Sequence, residues 1–189
     1  MLYCQPSHTG AKNDPEGVET ISKLVYYRVK ASSLTLPSTL KTIENQAFAS
    51  AFDSSNKVKV TIPSNVSKIG ASAFYFANIY GVTFNEGVQE IGDEAFESTN
   101  DLGNITLPAS LKRIGTKAFF SSGVTGVTLN EGLEEIDDYA FLGNPKMAGE
   151  ITIPSTLKTM GVGAFVGRVN NYSTELTAFN VASGNNYFS

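Results

Sequence analysis

Six times along this chain a threonine sits between two apolar residues: Leu34-Thr35-Leu36, Val60-Thr61-Ile62, Val82-Thr83-Phe84, Ile105-Thr106-Leu107, Val127-Thr128-Leu129 and Ile151-Thr152-Ile153. The starts lie 26, 22, 23, 22 and 24 residues apart. Alternation with period two sends the apolar pair to one face and the threonine to the other, which predicts a short strand. Apolar residues follow at fixed offsets, as in Val66/Ile69, Val88/Ile91 and Leu111/Ile114. Each unit then carries Ala-Phe: Ala47-Phe48, Ala73-Phe74, Ala95-Phe96, Ala118-Phe119, Ala140-Phe141 and Ala164-Phe165.

The spacing within a unit has a physical reading. Pro37, Pro63, Pro108 and Pro154 end four of the strands because proline has no ladder donor. Asn85-Glu86-Gly87 and Asn130-Glu131-Gly132 replace proline in two others, with residues that favour a tight turn. The Gly or polar pair before Ala-Phe, as in Ile114-Gly115-Thr116-Lys117, predicts a brief helical or 3-10 turn that buries the Phe. A unit this short encloses no core alone, so equivalent Leu, Ile and Phe side chains must stack between neighbours. Successive strands are then expected to pair in parallel at about 4.8 Å.

Both ends read as worn copies. Glu16-Gly17-Val18-Glu19-Thr20-Ile21 parallels Glu86-Gly87-Val88-Gln89-Glu90-Ile91 and places a strand near Lys12-Asn13-Asp14. Leu176 to Val181 begins a truncated seventh unit. The expected organisation is an irregular segment over 1–11, a degenerate repeat or cap over 12–33, and the array over 34–189.

At these residues the chain resembles the BspA-like leucine-rich repeat, Leu-x-x-Ile-Thr-Ile-Pro-x-x-Leu-x-x-Ile-Gly-x-x-Ala-Phe, which Leu102 to Phe119 reproduces nearly whole. The cysteine that often follows Ala-Phe in that family is absent from all six units, and small residues such as Ser50, Ser98 and Ser121 lie nearby. The resemblance implies a leucine-rich-repeat solenoid, a right-handed superhelix of parallel ladders. It also implies a bacterial surface protein, extracellular, whose usual activity is adhesion to host proteins or other cells. The tail from Val181 to Ser189 is similar to the way such arrays lead into a further unit.

Composition narrows the chemistry. A net charge of -4 gives no footprint for nucleic acid. No apolar run is long enough to insert in a membrane. The first residues, Met1 to Pro6, do not read as a signal peptide. Cys4 is the one cysteine and His8 the one histidine, with Ser7 beside it; no carboxylate stands at motif spacing, so no catalytic arrangement is expected. Phosphate-binding glycine patterns are absent, and a turn accounts for Gly70, Gly92 and Gly115. Asp93-Glu94, Glu134-Glu135 and Asp137-Asp138 lack calcium-loop spacing, so neither metal nor cofactor is expected. Sequons at Asn65, Asn104 and Asn171 matter only in a eukaryotic secretory host.

Two exposed features follow from the register. Lys68, Glu90, Lys112 with Arg113, Glu134 with Glu135, and Lys158 alternate in sign from unit to unit, a ladder that resists slippage. Thr35, Thr61, Thr83, Thr106, Thr128 and Thr152 form a row on the solvent face, with hydroxyls expected to bond one another. Beside them run Ser33, Lys59, Gly81, Asn104, Gly126 and Glu150. The candidate binding residues on this face are Lys59, Thr61, Thr83, Asn104, Thr106, Thr128, Glu150 and Thr152. A protein partner is the first expectation; a passive spacer and then a glycan-binding surface are the rivals. Tyr75, Phe76, Tyr80, Phe120 and Tyr139 are expected to fill gaps under loops, unless they cluster in the open. An unpaired last strand around Phe179 to Val181 predicts either further repeats or edge-to-edge dimers.

Overall fold

The computed structural model describes residues 10–13, 15–53, 55, 57–167 and 175–188. His8, Cys4 and the sequon at Asn171 lie outside them. The chain coils as a parallel-strand solenoid in which long and short strands alternate. The long strands are β1 (Gly10–Asn13), β3 (Ala31–Thr35), β5 (Val58–Ile62), β7 (Ile79–Phe84), β9 (Gly103–Thr106), β11 (Val124–Thr128), β13 (Ala148–Ile153) and β15 (Glu175–Val181). The short ones are β2 (Thr20–Ile21), β4 (Thr42–Ile43), β6 (Lys68–Ile69), β8 (Glu90–Ile91), β10 (Arg113–Ile114), β12 (Glu135–Ile136) and β14 (Thr159–Met160). β1 pairs with β3, with Lys12 opposite Leu34 and Asn13 opposite Thr35.

The two ladders differ from the expected continuous main sheet. The short strands form one unbroken seven-stranded sheet from β2 to β14, whereas the long strands pair only in twos: β1–β3, β5–β7, β9–β11 and β13–β15. Connector length explains most of this. Leu34, Val82 and Val127 each lie eight positions beyond the preceding ring, at Tyr26, Phe74 and Phe119, and their strands pair backwards. Val60, Ile105 and Ile151 lie twelve, nine and ten positions beyond Phe48, Phe96 and Phe141, and their strands pair only forwards. The extra residues carry those strands away from ladder contact with their predecessor. β15 follows a still longer connector yet pairs with β13, and connector length does not account for it.

The core is a column of rings. Tyr26, Phe48, Phe74, Phe96, Phe119, Phe141 and Phe165 stack in sequence with centroids 4.9–5.3 Å apart and nearly parallel planes. Tyr26 supplies the ring of the N-terminal coil, where the sequence has Val25-Tyr26 in place of Ala-Phe. Phe179 closes the other end edge-on to Phe165. Leu40, Ile43, Val66, Ile69, Val88, Ile91, Leu111 and Ile114 pack around the column with virtually no exposure.

The turns that carry the rings are neither α-helical nor 3-10 among the described residues, contrary to expectation. They are strings of reverse turns in which alternate amides are spent differently. Ala47, Ala49 and Ala51 donate to Glu44, Gln46 and Phe48 within the turn, while Gln46, Phe48 and Ser50 donate to Ala71, Ala73 and Tyr75 of the next coil. A helix would use every amide internally and leave the coils unbonded. The geometry requires left-handed φ at non-glycine residues, 58° at Gln46 and 54° at Ser50, with equivalents at Ser72, Phe76, Glu94 and Ser98. The inter-coil bonds, 2.7 Å from each of Phe48, Phe74, Phe96, Phe119 and Phe141 to the following unit's Ala carbonyl, offset that strain.

Glycine serves two distinct ends here. Gly87 combines a φ of 124° with a backbone so close to Ser64 that a Cβ would lie 1.9 Å from the Ser64 carbonyl oxygen. Gly70, Gly92 and Gly115 have no such φ; the expected turn requirement is replaced by close approach, since a Cβ on each would come within 2.4–2.8 Å of the preceding coil.

Phe96→Ala is expected to cost about 3–5 kcal/mol in urea unfolding, because it empties the middle of the column. Thr106→Ala, on the solvent face of the same coil, is expected to cost under about 1 kcal/mol. Equal costs would show that the column does not hold the coils together.

Candidate functional site

The outward positions of the long strands form a continuous surface. Thr35, Thr61, Thr83, Thr106, Thr128 and Thr152 are all exposed. Strand register sets Thr61 beside Thr83 and Thr106 beside Thr128, while Thr152 stands beside Asn180. The expected hydroxyl ladder is not formed: among the described residues none of these six hydroxyls makes a hydrogen bond. They are free for water or a ligand.

The adjoining row is not flat. Lys59 runs over Gly81, and the Asn104 amide leans over Gly126 so closely that a Cβ there would lie 2.9 Å from its oxygen. Between Val58 and Lys59 the register skips a residue: Val58 faces Ile79, Lys59 faces Gly81, and Tyr80 is left over in a bulge. Tyr80 is 51% exposed rather than filling a gap beneath a loop. The unmatched residue of Ile79-Tyr80-Gly81 against Val58-Lys59 was the available sequence signal for it.

Because β7 and β9 do not pair, the surface opens there into a cleft of about 410 Å³. Lys59, Tyr80, Thr83, Asn104, Thr106, Glu86 and Asn130 line it. The structure thus brings together Lys59, Thr83, Asn104 and Thr106 of the expected residues. Thr61 and Thr128 adjoin them in register, whereas Glu150 and Thr152 stand further along, on β13. Tyr80, Glu86 and Asn130 were not among the expected set.

Glu86 also clasps the seam. Its carboxylate accepts from the Ala109 and Ser110 amides at 3.0 Å each, while Ser110 Oγ accepts from Gly87 N at 2.8 Å and donates to the Val88 carbonyl at 2.9 Å. Glu131-Gly132 grips Ser155 and Thr156 in the same way, across another unpaired seam, between β11 and β13. Glu16-Gly17 grips Ser38 and Thr39. Backbone amides hold the Glu86 and Glu131 carboxyls below the usual carboxylate range.

The short-strand ladder carries the charges, in the expected alternation. Lys68 pairs with Glu90 at 2.9 Å, Glu134 is shared by Lys112 at 3.6 Å and Lys158 at 2.5 Å, and Arg113 reaches Glu90, Asp93, Glu135 and Asp137. These exposed pairs are worth about 0–1 kcal/mol each and act mainly on register. No group of three or more potential metal ligands occurs among the described residues, and no helix there is long and apolar enough to cross a membrane.

The family model of the BspA type leucine rich repeat region matches in six copies over residues 12–51 and 49–172. No curated protein matches the chain. Among solved structures, a leucine rich repeat protein of T. pallidum is 27% identical, with a TM-score of 0.70 over 82% of this chain and 71% of that one. A leucine-rich repeat protein from Bacteroides ovatus is 23% identical, with a TM-score of 0.68 over 84% of this chain and 41% of its own. One from Eubacterium ventriosum is also 23% identical, with a TM-score of 0.62, over 92% of this chain and 56% of its own. The last two establish likeness of fold, and the chain spans about half of their length.

The clasps make an acid prediction. A carboxyl whose pKa is depressed by folding contributes stability that is complete above its unfolded value and is lost as pH falls through the folded one. Glu86→Gln with Glu131→Gln is therefore expected to lower the urea midpoint at pH 7, with the gap from the parent closing toward pH 3. A gap of constant size between those pH values would remove the clasps from the acid response.

Proposed function

We propose, for a chain that belongs to the BspA type leucine rich repeat region family, the role of a non-enzymatic cell-surface module that binds a protein partner through the threonine face of its long strands. The observation that carries this reading is the cleft at the unpaired β7/β9 seam, framed by free hydroxyls. Lys59, Thr61, Thr83, Asn104, Thr106 and Thr128 form its centre, with Glu150 and Thr152 as an extension along the face. Tyr80 adds what composition alone did not supply, an exposed aromatic of the kind that anchors interfaces. Surface placement follows from the family resemblance, and adhesion is the activity that fits both. Since the chain spans only part of two of its structural relatives, ligands of a longer protein need not all meet this face.

Glycan binding is a second reading, favoured by one observation: exposed Tyr80 and Asn104 line the same cleft, a stacking ring beside an amide. The rival of both is a passive spacer.

The test is a binding screen against immobilised matrix proteins and a glycan array, run beside Thr83→Arg, Thr106→Arg and Thr128→Arg. Loss of binding by about tenfold or more in the first two, with thermal unfolding unchanged, is the expected result, since an arginine would fill the cleft. Thr128→Arg, one strand away, should weaken binding less. Binding indifferent to all three substitutions, or absent from both panels, overturns the sheet-face reading in favour of the spacer.

A further inference from the structure

The charge pattern around the β7/β9 cleft bears on what the cleft would hold. Four long strands build this part of the outer surface, β5, β7, β9 and β11, and Lys59 is the one charged residue in them. Its side chain lies along Gly81, where a Cβ would be 3.8 Å from its Cγ, and its ammonium makes neither a hydrogen bond nor an ion pair. The ladder lysines of the short strands are engaged: Lys41 by Glu19 at 2.7 Å, Lys68 by Glu90 at 2.9 Å, and Lys112 and Lys158 by Glu134. Lys59 therefore brings an uncompensated positive charge to the cleft wall.

The neighbours of Lys59 in the cleft are polar groups without partners. The Tyr80 hydroxyl, the Asn104 amide and the Thr83 and Thr106 hydroxyls make no hydrogen bond, and all four residues are exposed. Glu86 is the one carboxylate on the lining among the described residues. Both its oxygens are already held, by the Ala109 and Ser110 amides at 3.0 Å each. It follows β7, whereas Tyr80 and Gly81 stand near the start of that strand, with Lys59 in register beside Gly81. An anion is thus drawn to one end of the cleft and repelled from the other.

The walls of the cleft follow the strands, from Tyr80 to Glu86 on one side and from Leu102 to Pro108 on the other, a length of about 20 Å at the rise of an extended chain. A trough of that form admits an extended polypeptide along its whole length, whereas a single sugar ring would occupy one end. We infer that its occupant is an extended segment of a partner protein that sets an aspartate or glutamate against Lys59, Tyr80 and Asn104 and passes Glu86 with uncharged residues. The carboxylate receives charge-assisted hydrogen bonds from the ammonium and the amide. The residue beside it lies on the exposed Tyr80 ring. This inference rests on the protein-binding reading of the cleft and adds to it the sign and the place of the partner's charge.

The test is an NMR titration of the isotope-labelled protein with acetyl-Thr-Glu-Thr-Val-Thr-Ser-amide, and with counterparts carrying glutamine or lysine in place of the glutamate, at fixed ionic strength. The glutamate peptide is expected to give saturable shifts centred on the Lys59, Tyr80, Gly81 and Asn104 amides. The glutamine peptide should bind about fivefold more weakly, the lysine peptide more weakly still, and added salt should narrow the gap. Lys59→Met, which keeps the stem over Gly81, should bring the glutamate peptide down to the level of the glutamine one. Lys59→Arg should restore the difference, and Lys59→Glu should put the lysine peptide ahead. Equal affinities for the glutamate and glutamine peptides, or a difference that survives Lys59→Met, would overturn the inference. If the shifts still centred on the cleft and vanished in Thr106→Arg, the protein-binding reading would stand without it. Cleft shifts from a glucuronate-containing hexasaccharide and from none of the peptides would overturn both in favour of glycan binding.

Discussion

One constraint governs this molecule: a large ring in each coil must be kept from water by the rings above and below it. No coil of some two dozen residues can bury a phenylalanine alone, so Phe74 needs Phe48 and Phe96 on its two faces. The 4.9–5.3 Å ring separation matches the natural spacing of paired strands. Ladders and ring column therefore share one repeat distance. The Ala before each ring belongs to the same arrangement: it is buried, leaves space for the column, and offers its carbonyl to the Phe amide of the coil before.

What varies between coils varies where the column does not care. From Val60 to Phe74, Val82 to Phe96, Ile105 to Phe119 and Val127 to Phe141 the distance is always fourteen positions. The length differences all fall between a ring and the strand that follows it. Up to β13 they decide which long strands pair, and so where the outer surface splits. The β3/β5, β7/β9 and β11/β13 seams lack ladder bonds, and the last two are bridged by a Glu-Gly clasp onto the following coil. The cleft thus lies where the long-strand ladder lapses.

The same logic bears on the C-terminal end of the described structure. Residues 182–188 lay a partial further coil over the sixth unit, with Asn185 donating to the Pro154 and Leu157 carbonyls. They do not fold back over β15, whose Phe179 and Val181 remain about half exposed. Asn185 occupies the position that Leu157 holds one coil earlier, so two carbonyls receive a buried amide where the pattern otherwise puts a methyl pair.

The sequence by itself determined the repeat, its apolar core and the sign of every rung in the charge ladder, because each of these is a property of spacing that stacking merely reads out. Val60, Ile62, Val66, Ile69 and Phe74 had to be inside once the unit was recognised. Only the tertiary structure decided how the turns are built, since the choice between local and inter-coil hydrogen bonds depends on a neighbour that no single unit specifies. It also decided that the threonine hydroxyls stay free, that Tyr80 emerges in a bulge, and that one Glu97 carboxylate oxygen is shut off from solvent without a donor. Each depends on differences of one or a few residues between neighbouring coils. The period gives the average position of a side chain, and the site is made of departures from that average.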